Sequence, residues 1–204
     1  MANNVCDSLI KQNIAKNCLE PMIQGVERTA YIINRKDVDF GNVTFVEGFT
    51  NQISALPLLK GKKAYTIEQY GATPYSGSSI AIAPSSQGGQ ATSTISFVVP
   101  SNAPAMYENV IDPLFDGEFI VILENKAKGL RDEQNPGASA FQVFGYWQGL
   151  TLAESTKELY NDETLGGFPV TLVEQKAPKS AMFLNAGSYE ATKAMVESLL
   201  VVAE

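Results

Sequence analysis

The chain has 204 residues, 45% of them hydrophobic and only 18% charged, with 22 acids against 15 bases for a formal charge of −7. A chain of this length buries roughly 70% of its unfolded surface in a single domain; its composition excludes intrinsic disorder, and its acidic balance excludes a nucleic-acid binder that works by phosphate attraction. It contains no histidine, which removes Ser-His and Cys-His nucleophile pairs, imidazole metal sites and the commonest general acid or base near neutral pH.

Residues 1–28 read as an N-terminal extension of one domain covering 1–204. Within it Val5, Cys6, Leu9, Ile10, Ile14 and Cys18 fall near one helical face, Asn3 or Asn4 can cap it and Pro21 stops it. Cys6 and Cys18 read as free thiols, because two thiols do not complete a four-ligand zinc site. No run approaches the ~20 apolar residues of a membrane span, and no basic stretch leads into an apolar one at the N-terminus. The expected place of synthesis is a cytosol, where Asn42-Val43-Thr44 is not a working glycosylation sequon.

From Thr29 onward, short β-rich segments separated by Gly, Pro, Asn and Asp predict a mainly β chain, an antiparallel sandwich or barrel with a flanking helix. The strands fall near 29–34, 43–49, 64–70, 92–99, 118–124, 141–149 and 169–176. Those over 118–124 and 141–149 carry apolar groups on both faces and are expected to be central. Met106, Val110, Ile111 and Leu114 recur at helical spacing after Pro104 and predict a helix over 102–115, shortened or kinked by Pro113 and ended at Asp116-Gly117. Ser188 caps a C-terminal helix over 189–201, with Glu190 in its first turn and a stripe of Ala194, Met195, Ser198, Leu199 and Val202.

The strongest sequence feature is an absence: 39 consecutive residues from Gln69 to Tyr107 carry no charge. Inside it, 71–100 reads as a long hairpin arm, with Ile80, Ile82, Ile95, Phe97 and Val99 alternating as in strands and Thr92, Thr94 and Ser96 on the opposite face of theirs. Soluble monomers guard strand edges with charges; this arm has none, so pairing with a second copy is expected. Too few large apolar groups lie in 76–92 to offset its ordering entropy, so it is expected to order only on assembly.

Chemistry-bearing motifs are weak. Ser8-Leu9-Ile10-Lys11 fits S-x-x-K without its companion elements and reads as helix surface. Asp37 and Asp39 with Asn34 match a cation site less well than a turn with Asx hydrogen bonds, and Asp112 and Asp116, four apart around Pro113, match turn chemistry better than a carboxylate pair. Gly88-Gly89, Gly166-Gly167 and Gly61-Lys62-Lys63 lack the spacing of a phosphate loop. Lys60, Lys62, Lys63, Lys126, Lys128 and Arg131 form two basic clusters read as solvated or paired with acids, and Trp147 reads as core or subunit interface. No catalytic, cofactor or metal residue is predicted. A ligand-binding sandwich would use Tyr65, Tyr70, Tyr75, Tyr146 and Trp147, and a carboxylate enzyme would need two converging acids.

The run Phe141-Gln142-Val143-Phe144-Gly145-Tyr146-Trp147-Gln148-Gly149-Leu150, then Asn161-Asp162-Glu163-Thr164-Leu165-Gly166-Gly167, then Val170-Thr171-Leu172 and Pro178 resembles the major tail tube proteins of bacteriophages of Bacteroides-like hosts. The likeness covers about 117–186, with a weaker echo at 31–39. It implies a tail-tube-like β-sandwich or barrel with a flanking helix and homohexameric rings stacked into a tube that conducts DNA. It further implies a place in the virion tail, assembly in the host cytoplasm, partners such as tape measure, terminator and distal tail proteins, and no enzymatic activity or cofactor. A connector or terminator ring and a capsid decoration protein share these broad traits.

Overall fold

The computed structural model describes residues 10, 13–14, 23–84, 90–131, 136–153, 155–162 and 164–203. The predicted N-terminal helix lies outside them but for the isolated residues 10, 13 and 14, and both cysteines lie outside them. Among the described residues the strands are β1 (Val26–Asn34), β2 (Thr44–Phe45), β3 (Gln52–Ala55), β4 (Tyr65–Glu68), β5 (Ser79–Ala83), β6 (Gln90–Val99), β7 (Phe119–Asn125), β8 (Phe141–Phe144), β9 (Thr151–Leu152), β10 (Phe168–Ala177) and β11 (Met182–Leu184). They form a seven-stranded sheet in the order β2-β3-β11-β8-β7-β1-β4 and a four-stranded sheet in the order β5-β6-β10-β9. Only β3 with β11 is parallel. The chain is mainly β, two sheets packed as a sandwich.

The alternation in β7 explains the layering. Phe119, Val121 and Leu123 point toward the four-stranded sheet and pack with Ile95, Phe97 and Val99 of β6 and Val170 and Leu172 of β10. Ile120 and Ile122 point the other way, into a second core with Tyr31, Ile33, Phe141 and Val143 that Val196 and Leu199 of the C-terminal helix cover. A strand buried on both faces needs apolar side chains at every position, and Ile120, Val121 and Ile122 are each 0% exposed. Each such side chain contributes about 1.5–3 kcal/mol of burial.

Several boundaries differ from expectation. The strand predicted over 141–149 ends at Phe144, because Gly145 (φ +81°) and Gly149 (φ +83°) turn the chain back. A Cβ on Gly145 would lie 2.2 Å from the Phe119 carbonyl oxygen, so no other residue fits. The segment 43–49 pairs only at Thr44–Phe45, and β3, β9 and β11 are too short to show an alternation. The helix predicted over 102–115 is an α turn (Pro104–Met106), a π turn (Tyr107–Ile111) and a 3-10 turn (Asp112–Leu114) in series. Pro113 has no N–H to donate and its ring crowds the carbonyl one turn back, and the winding widens ahead of it: the Asp112 N–H reaches the Tyr107 carbonyl.

The C-terminal helix runs Tyr189–Ser198, with the Ser188 hydroxyl accepting from the Ala191 N–H at 3.2 Å. Its buried stripe is Thr192, Val196 and Leu199 with Met195 at the side, whereas Ala194, Ser198 and Val202 are exposed, correcting the predicted face. Thr192 tolerates complete burial because its hydroxyl donates to the Ser188 carbonyl (2.7 Å) and accepts from the Ala186 N–H (2.9 Å). Tyr189 stacks on Phe141 at 5.9 Å and sets the helix's rotation.

The uncharged run folds as the β5–β6 hairpin and its flanks. β6 is an inner strand, paired on one side with β5 and on the other with β10 along nearly its whole length. β5 is the sheet edge, and all five of its residues are exposed.

Candidate functional site

The outward face of the four-stranded sheet is neutral over its regularly paired positions, with Lys176 exposed at the bulge near the end of β10. Ala91, Ser93, Ile95, Phe97 and Val99 of β6 point into the sandwich, which turns Thr92, Thr94, Ser96 and Val98 outward. Register extends that face to Ser79, Ala81 and Ala83 on one side and to Pro169, Thr171, Val173 and Thr151 on the other. Ser96 and Thr171 bring their hydroxyls within 3.4 Å. No Lys, Arg, Asp or Glu projects from these positions.

The two halves of β6's outer edge are treated differently. Beyond β5, side chains stand in for a strand: Gln69 Oε1 accepts from the Val98 N–H (2.8 Å), Gln69 Nε2 donates to the Val98 carbonyl (2.9 Å), and the Ser78 hydroxyl accepts from the Ser96 N–H (3.0 Å). Tyr75, buried with φ +59°, pins this loop by donating to the carbonyls of Ile67 (2.8 Å) and Arg28 (3.1 Å). Among the described residues β5 itself has no strand partner on its far side. Ile80 and Ile82 share the inward face with Ser93 and Ala91, yet they are 37% and 68% exposed, because nothing among the described residues covers this end of the hairpin.

At the opposite edge of the sandwich, the turn after β8 is locked by one carboxylate. Glu174, 3% exposed, accepts from the N–H groups of Gly145 (3.0 Å), Trp147 (2.9 Å) and Gln148 (2.8 Å). Arg35 completes the lock, donating to the Trp147 carbonyl at 2.8 Å and lying over the Phe40 ring at 4.8 Å. Phe40, Phe45 and Trp147 meet Tyr146 edge-on at 5.2–6.2 Å. Burial raises the Tyr146 pKa, with the Arg35 charge opposing. Neither Glu174 nor Gln69 was singled out from sequence, although Glu174 is a lone charge in the apolar register of Val170 and Leu172, a visible mark of a buried polar task.

The predicted motif residues fall as follows. Asp37 accepts from the Asn34 side-chain amide (3.0 Å) and pairs with Lys62 (3.3 Å), and Asp39 accepts from Asn42 (2.7 Å), so these acids hold turns. Asp112 begins the last helical turn and Asp116 follows it, both exposed. Lys63 lies over Tyr65, and Lys128 pairs with Glu124 (2.7 Å) and Glu27 (3.3 Å). Burial pulls the Lys128 ammonium down, but its contacts with Glu124, Tyr189 and Glu27 outweigh that and raise its pKa overall. Gly167 closes a turn onto the Thr164 carbonyl, while Ser8, Lys11, Gly88 and Gly89 lie outside the described residues. Tyr75 and Tyr146 are buried, while Tyr65 and Tyr70 are exposed at and just after the edge strand β4, three strands from the β8 that leads into Trp147. Among the described residues no three cysteines or carboxylates gather as a metal site, and no helix is long and apolar enough to cross a membrane.

Comparison of the chain with protein-family models, with curated proteins and with solved structures found no match in any of the three.

Proposed function

We propose that the chain is a virion structural protein of the tail-tube kind, whose copies join through the open β5 edge into rings, hexameric by the resemblance, that stack into a DNA-conducting tube. The observation that carries this reading is the stretch of the four-stranded sheet's outward face, over its regularly paired positions, that carries no charge and ends on that edge. DNA presents a dense row of phosphates, and each lysine facing it would form a contact that must break for the duplex to slide. A wall of Thr, Ser, Ala and Val offers no such contact, Lys176 stands at the β10 bulge at one end of it, and Lys62, Lys63, Lys126 and Lys128 belong to the seven-stranded sheet's side of the molecule. Uncovered Ile80 and Ile82 supply apolar area that a neighbouring copy would bury. In this reading the protein works without catalysis or cofactor, in the virion tail, with other tail proteins as further partners, and takes part in DNA ejection.

Sedimentation velocity and negative-stain microscopy at about 1 M salt, where charge attraction is screened within ~3 Å, provide the test. Rings or tubes that survive are the expected result. A compact monomer at high concentration would defeat the proposal, and rings whose lumen is lined by Lys62, Lys63, Lys126 and Lys128 would defeat its account of DNA passage.

A further inference from the structure

A cleft of about 600 Å³ lies between the C-terminal helix, the adjoining ends of β1 and β7 and the loop around Gly71–Pro74, on the far side of the seven-stranded sheet from the neutral face. Its size is that of a small-molecule site. Arg28, Lys126, Lys128 and Lys193 line it against Glu27, Glu124 and Glu197, a local excess of one positive charge in a chain of −7.

Two of the acids are already committed. Lys128 takes Glu124 and Glu27, and the Tyr189 hydroxyl donates to Glu124 at 2.7 Å. Arg28, Lys126 and Lys193 have no carboxylate within 4.0 Å among the described residues. Lys126 and Lys193 are partly buried along the cleft wall. The Tyr189 ring holds the ammonium groups of Lys128 (5.1 Å) and Lys193 (6.0 Å) to one wall. Tyr31 reaches the same cleft, and burial together with Glu197 and Glu124 raises its pKa, which keeps the phenol a hydrogen-bond donor.

We propose that this cleft binds a compact phosphate-bearing anion, with Lys126, Lys193 and Arg28 as counter-ions and the Tyr31 hydroxyl as donor. A long polyanion fits less well than a compact one, because the partly exposed Glu27 and the exposed Glu197 would repel phosphates continuing past the cleft. The site is remote from the proposed assembly edge and stands or falls independently of it.

Titration calorimetry on the full chain at low salt with inorganic phosphate and with tripolyphosphate is the experiment, with potassium chloride at matched ionic strength as control because phosphate also stabilises proteins by exclusion. Saturable binding is expected, weakened at least about tenfold in Lys126→Gln/Lys193→Gln by the loss of two charge-assisted contacts, and unchanged in Lys179→Gln, which does not line the cleft and whose ammonium donates to the Thr50 hydroxyl at 3.0 Å. If the double variant fails to fold by circular dichroism, the two single variants take its place, each with a partial loss. Absence of saturable binding, or equal binding by these variants, overturns the proposal. So does binding of a single-stranded oligonucleotide without any response to tripolyphosphate, which would make the cleft a nucleic-acid surface.

Discussion

The turn at 145–149 and the strand β5 lie at opposite margins of the sandwich and are held in opposite ways. In the turn, three main-chain N–H groups converge on the buried Glu174 carboxylate and Arg35 holds the Trp147 carbonyl, so side chains fix the backbone. β5 is held through main-chain pairing to β6, with its apolar side chains uncovered. A locked margin cannot rearrange to accept a neighbour, whereas an open one carries the unpaired groups that a neighbour needs. The comparison therefore gives the turn a part in holding the fold and leaves the strand as the edge through which the proposed association would run.

The largest expected effect comes from unlocking the turn. Glu174→Ala leaves three N–H groups without their acceptor and should cost about 4 kcal/mol in denaturant unfolding. A loss below about 1 kcal/mol would mean that the turn holds itself. Gln69→Ala exposes the far half of β6's edge by removing the acceptor and donor on Val98, with an expected loss of about 2 kcal/mol. It should also increase association at that half of the edge, visible as a concentration-dependent sedimentation coefficient.

Tyr75→Phe removes a hydroxyl that bonds two carbonyls and should cost about 1 kcal/mol at pH 8. Burial, reinforced by Glu68, raises the Tyr75 pKa well above its ordinary value. An unfolded tyrosine ionises near pH 10, so this stabilising contribution is complete below about pH 10 and declines as pH rises past it. Unfolding at pH 8 and pH 11 should therefore show a smaller alkaline loss in Tyr75→Phe than in the parent chain. An equal loss would assign the alkaline sensitivity to other groups.

Ile82→Lys sits at the far end of this scale. At 68% exposure the side chain contributes little to the fold, so stability should change by less than about 0.5 kcal/mol. Association through the edge should nevertheless fall sharply, as a charge guards the strand. Unchanged assembly in this variant would move the contact elsewhere, and a large loss of stability would show that β5 belongs to the core.

Much of the sheet was legible because period-2 alternation is a local property. The runs over 29–34, 92–99, 118–124 and 169–176 all became strands, and the double-faced apolar pattern of 118–124 correctly marked an inner strand, buried on both faces, of the seven-stranded sheet. The segment 141–149 misled because Tyr146 and Trp147 continue the aromatic rhythm past Phe144, while the turn depends on the close approach of Gly145 to the Phe119 carbonyl, 26 positions earlier. The helical stripe was misplaced because Thr192, polar by composition, becomes buried once its hydroxyl finds both a donor and an acceptor in the adjoining loop. The charged cleft was half legible: Lys126 and Lys128 were visible as a basic cluster, but their meeting with Lys193 and Tyr31 joins positions as far as 162 apart.

By itself the sequence determined the β-rich class, the lack of any histidine-based chemistry and the 39-residue run without charge, since each is a matter of composition or of spacing within a few residues. Tertiary structure alone decided that β6 lies inside a sheet while β5 lies at its edge, that one glutamate would be buried to hold a distant turn, and that three lysines and an arginine would share a cleft with three acids. The physical reason is that alternation and composition are summed along the chain, whereas edges, buried charges and clefts depend on which distant segments come to lie side by side.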